Sequence, residues 1–96
     1  MGDVIKKMYE EIWEELDGAE HYAKRAAALK HDYPELARLY ASMSEQEMHH
    51  SNALADEAAR MQKNGMNEGD RAIHEFVREM QTEKGNRVRM YMTQYK

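Results

Sequence analysis

At 96 residues and 11.3 kDa the chain is one small domain, and 42% hydrophobic residues with a mean hydropathy of −0.99 leave it little apolar surface to bury. The absence of cysteine excludes disulfides and zinc–thiolate sites as a stabilising staple, leaving oligomerisation or a metal held by nitrogen and oxygen. A net charge of −4 argues against nucleic acid and anionic membranes as partners, no run is apolar enough to span a membrane, and a signal-peptide core is missing; a cytoplasmic location, or one inside a cytoplasmic protein compartment, is expected.

One proline, few β-branched residues and an abundance of Glu, Ala, Lys, Arg and Met predict an all-α fold. The first helix is expected from about Asp3 to Lys30. Its stripe is Ile5, Met8, Ile12, Ala19, Tyr22, Ala26 and Leu29, with Glu15 filling the gap. His31 to Pro34 is the turn, since proline disfavours a helical residue before it. Asp32 and Glu35 have capping-box spacing for a second helix running to about Lys63. Its stripe is Leu36, Tyr40, Met43, Leu54, Ala58 and Met61, with Glu47 and His50 in the middle. Asn64 and Gly65 read as a helix stop. A third segment starts between Asn67 and Asp70 and carries the weaker stripe Ile73, Val77, Met80, Val88, Tyr91 and Tyr95, interrupted by Lys84. Gly85-Asn86 is a candidate kink, and residues 87–92 alternate in a way that also suits a strand. Residues 1–66 form the expected metal-binding hairpin and 67–96 the C-terminal helix of the same domain.

An antiparallel hairpin places residues equidistant from its turn at one height. Glu15, Glu47 and His50 stand at nearly equal distances from the point between His31 and Asp32, within about one helical turn at ~1.5 Å per residue. Glu47 and His50 are three apart and share a face. Burying two carboxylates and an imidazole unpaired would cost several kcal/mol, by order of magnitude. A divalent cation satisfies all three, and this donor set suits iron, manganese or zinc better than calcium. The bland alternative is a boundary glutamate beside a chance Glu-x-x-His. The matched heights favour ligation. Three ligands are too few for two metals, so a two-fold dimer bringing a second set opposite the first is the expected complete site.

The run Glu14-Glu15-Leu16-Asp17-Gly18-Ala19-Glu20-His21-Tyr22 resembles the first metal-binding helix of ferritin-like proteins, and Ser44-Glu45-Gln46-Glu47-Met48-His49-His50 resembles their Glu-x-x-His helix. Bacterioferritins and rubrerythrins carry both elements twice; this chain carries them once, since Glu75 is followed three residues on by Arg78 and Glu79 by Thr82. With Pro34-Glu35-Leu36 and a length near 100, the likeness is closest to the half-size encapsulated ferritins and covers roughly Lys6 to Met61. The resemblance implies a half four-helix bundle completed by dimerisation, with Glu15, Glu47 and His50 as catalytic iron ligands. It also implies Glu14 and Asp17 as an outer acidic pair drawing in iron, and Tyr22 behind the ligands. His21 stands where a tryptophan is expected. Encapsulated members dock in an encapsulin shell through a small aliphatic C-terminal peptide; residues 90–96 do not match one, so encapsulation gains no support.

The favoured function is oxidation of Fe(II) to Fe(III) at a di-iron site shared by two subunits of a homodimer or larger even-numbered homo-oligomer. One rival is a helical interaction or structural protein with a relic or redox-silent metal site; another is a di-metal oxidase or peroxide scavenger. Among the remaining residues, Glu10, Glu14, Asp17 and His21 also form a solvated charged stripe, and Trp13 is expected at a subunit interface. His31, His49 and His74 read as surface or capping groups, the methionines as gap-filling packing, and Arg87, Arg89 and Lys96 as a basic end.

Overall fold

The computed structural model describes residues 2–62 and 68–96, and among these there are three α-helices and no strand. They are α1 (Gly2–Leu29), α2 (Pro34–Gln62) and α3 (Glu68–Tyr95). The expected stop at Asn64 and Gly65 lies outside the described residues. None of the described helices is long and apolar enough to cross a membrane.

The turn closes through Tyr33 N–H donating to Leu29 O at 2.8 Å, and α2 opens with Ala37 N–H donating to Tyr33 O at 2.9 Å. Pro34 therefore takes the first helical position, where its missing N–H costs nothing. That puts Tyr33 at the cap and displaces the expected Asp32–Glu35 box by one residue. The expected kink at Gly85-Asn86 is absent: α3 is continuous through it, and residues 87–92 are helical. Gly85 is buried, facing Met48 on α2, so this glycine serves a packed face rather than a bend.

On α1 the core keeps Ile5, Ile12, Ala19 and Ala26 of the expected stripe and adds Tyr9, Leu16 and Ala23, whereas on α2 only Ala58 is kept and the buried face lies one residue on from the expected one. On α1 the buried positions are Ile5, Tyr9, Ile12, Leu16, Ala19, Ala23 and Ala26. On α2 they are Ala37, Ala41, Ser44, Ser51, Ala55, Ala58 and Gln62. Small residues dominate because they let two helix backbones approach closely, and Ser44 Oγ clamps the contact by donating to Ala19 O at 2.7 Å. A one-residue shift rotates a helix by about 100°. Met8, Glu15, Tyr22, Tyr40, Met43, Glu47, Leu54 and Met61 are thereby left half-buried along one flank of the hairpin.

α3 runs parallel to α1 and packs mainly against it, touching α2 only slightly. Val77 and Val88 are its buried apolar anchors; Ile73 is 44% exposed, contrary to its place in the expected stripe. Lys84, which interrupts that stripe, turns out to be the helix's electrostatic anchor. Its side chain is 12% exposed, and Nζ lies 3.2 Å from Asp17 Oδ1 and 3.6 Å from Glu20 Oε1. Arg87 Nε reaches Glu20 at 2.7 Å, and Lys30 donates to the Gln94 carbonyl at the far end. Trp13 is 46% exposed, with the Lys84 ammonium 5.5 Å from its ring centroid. His74 is a correction: it is half-buried, with Nδ1 3.3 Å from the Tyr9 hydroxyl, which itself donates to Gln62 Oε1 at 2.6 Å. This link ties the lower ends of all three helices together.

Candidate metal centre

Glu15, Glu47 and His50 meet on the flank of the hairpin away from α3. One ligand atom from each lies within 4.8 Å of the other two. The triad exists because the small-residue seam holds α1 and α2 close at equal height from the turn. His50 Nδ1 lies 3.4 Å from Glu15 Oε2. The surroundings differ from the expected apolar layer. Leu16 and Ser51, the neighbours of Glu15 and His50, take the fully buried positions, so the triad sits at the edge of the seam. The side chains of His50 and Glu15 are 62% and 27% exposed.

The electrostatics record crowding of like charges. The Glu47 carboxyl is pushed up to about 7 by a hydrogen bond to Glu15, by burial and by the charge on Glu15, with His50 pulling the other way. A proton therefore holds the two carboxylates together near neutrality. Replacing that proton with a cation relieves the same repulsion.

The donor set fits a first-row divalent metal. Ligand atoms about 2.0–2.2 Å from such an ion stand ~3–4 Å apart, so the 4.8 Å spread closes with small side-chain rotations. Two carboxylates neutralise the ion's charge, and imidazole adds the borderline donor favoured by iron, manganese and zinc.

The other expected residues fall elsewhere. Glu14 and Asp17 are both exposed; Asp17 lies about 200° around α1 from Glu15 and accepts from Lys84. Tyr22 shares the triad's flank, two turns away, and stacks on Tyr40 with ring centroids 5.7 Å apart and planes at 20°. Arg25 covers the Tyr40 ring at 5.0 Å, and His21 meets Tyr22 edge-on. His31 and His49 are exposed. Two residues that apolar patterning passes over also shape the site. Ser44 fixes the helix contact one turn from Glu47, and Gly18 leaves the space that the Glu47 side chain occupies. A glycine inside an otherwise strong helix-forming run was the available signal for the second.

Compared with known protein families, with curated proteins and with solved structures, the chain matches none.

Proposed function

We propose that this chain contributes Glu15, Glu47 and His50 to a di-iron centre completed by a second copy, and that the pair oxidises Fe(II) to Fe(III). The observation that carries the reading is the convergence of two carboxylates and an imidazole from two helices within 4.8 Å. The Glu…Glu-x-x-His set is what each half of a di-metal helical bundle supplies. Two Fe(II) ions as substrate lose one electron each to dioxygen, which takes up two protons and leaves as hydrogen peroxide. The chain's own part is electrostatic and geometric: Glu47 gives up its proton as iron arrives, Glu15 and Glu47 offset the growing positive charge, and the exposed edge admits ion and oxidant.

The test is metal content on protein loaded anaerobically with Fe(II), followed by oxidation in air. About one iron per chain in an even-numbered oligomer is the expected result, lost in Glu15→Ala and Glu47→Ala together with the oxidation rate. Unchanged iron content in those variants would sink the proposal. Zinc binding by the triad with no Fe(II) oxidation would leave the metal site standing and replace the oxidase with a redox-silent, structural role.

A further inference from the structure

We infer that Gly18 is the positioning residue of the metal site proposed above, on which this inference rests: its missing side chain lets the Glu47 carboxylate lie against α1, in register with Glu15. A Cβ at Gly18 would stand 3.0 Å from Glu47 Oε2, 3.4 Å from its Cδ and 3.7 Å from its Cγ. All three of these nearest atoms belong to the one ligand residue. Gly18 is one turn from Glu15 along α1, so the Glu47 side chain crosses from α2 onto the α1 surface at the height where its partner carboxylate emerges.

Backbone freedom does not account for this glycine. Among the described residues no glycine has a positive φ, and Gly18 lies well inside a continuous helix. Glycine there weakens the helix relative to alanine. The two helices are clamped just above, where Ser44 donates to Ala19 O and Ala19 and Ala23 are fully buried, so α1 has no room to retreat from α2. A methyl group at position 18 would therefore be accommodated by the end of the Glu47 side chain, which must give by a few tenths of an ångström and so changes its position relative to Glu15. Gly85 offers a contrast: a Cβ there would meet Arg89 and Met48 at 3.8 Å or more, in ordinary contact.

The experiment compares the full chain, Gly18→Ala, Gly85→Ala and Glu47→Ala by Zn(II) titration calorimetry, Co(II) visible absorption and thermal unfolding. Gly18→Ala should melt at the same temperature as the parent or higher, yet bind Zn(II) about tenfold or more weakly, the scale seen when groups that orient a ligand are lost. Its Co(II) bands should shift, because ligand geometry changes. Gly85→Ala should gain helix stability and leave binding and bands as they were. In a Glu47→Asp background, whose shorter side chain clears position 18, adding Gly18→Ala should cost several-fold less than in the parent. Parental affinity in Gly18→Ala, with binding lost in Glu47→Ala, would overturn the role of Gly18 and leave the metal site intact. Parental affinity in Glu47→Ala would overturn the site itself, and this inference with it.

Discussion

Glu47 is the residue where stability and ligand binding pull against each other. With its carboxyl pushed up to about 7, the folded, metal-free chain keeps a proton that the unfolded chain, at an ordinary 4.5, has already released. Between those two values the native state binds more protons, so the unfolding free energy must fall as pH rises from about 4.5 to about 7. Full linkage over that interval would be about 3 kcal/mol, an upper bound that solvent screening at the open edge reduces. Glu47→Gln removes this titration while keeping shape, so its melting temperature should lose that decline when measured from pH 5 to pH 8. Metal affinity takes the opposite sign: below about 7 the ion must displace the Glu47 proton, so Zn(II) binding should strengthen about tenfold or more per pH unit and level off above it. A flat affinity profile over pH 5 to 7 would show that Glu47 is not a ligand. At this scale the sequence was informative where position along the hairpin decides the outcome, since Glu15, Glu47 and His50 are found by counting from the turn. Gly18 showed in it only as a glycine inside a strong helix-forming run, with nothing to tie it to Glu47, because what matters there is an atom that is missing.

Between α1 and α2, two serines in the same seam should respond in opposite ways to the same change. Ser44 is fully buried and its hydroxyl donates to the Ala19 carbonyl across the interface. Ser51 is equally buried, two turns on, and its hydroxyl has no hydrogen-bond partner among the described residues. Ser44→Ala should cost about 1 kcal/mol, the net worth of one such bond. Ser51→Ala should be neutral or gain up to about 1 kcal/mol, because it removes a stranded polar atom and improves helix propensity. Urea denaturation of both variants reads the signs directly; equal destabilisation would mean that the Ser51 hydroxyl is satisfied in solution. The same seam explains why helix existence was legible from the sequence and the rotation of α2 was not. Patterning weighs large side chains, so Leu36, Tyr40 and Met43 claim the inner face. Closely spaced helices prefer small ones, and Ala37, Ala41 and Ser44 take that face, turning the large residues onto the flank. Gly85 misled for a related reason: a glycine packed beneath a neighbouring helix reads in sequence like a break.

The dimensions of the whole chain bear on the proposed pairing of two copies. Its accessible surface is 6560 Å², against about 5700 Å² for a compact monomer of this mass. Its radius of gyration is 15.2 Å where a compact 96-residue domain has about 12.5 Å. The excess goes with an elongated form, 50 × 18 × 15 Å. The flank holding Met8, Tyr22, Tyr40, Met43, Leu54 and Met61 runs the length of the hairpin and brackets the triad, whereas the opposite flank already carries α3. A second copy placed there would bury apolar area at both ends and bring two triads face to face, so association and metal binding should be thermodynamically linked. Met43→Lys, one turn from Glu47, puts a cation in that surface without removing a ligand. If two copies pair as proposed, it should shift the chain from dimer to monomer in sedimentation at micromolar concentration and weaken metal binding most at low protein concentration. If instead the parent stays monomeric with Zn(II) bound, at an affinity independent of protein concentration, then one chain holds its metal alone and the shared centre fails.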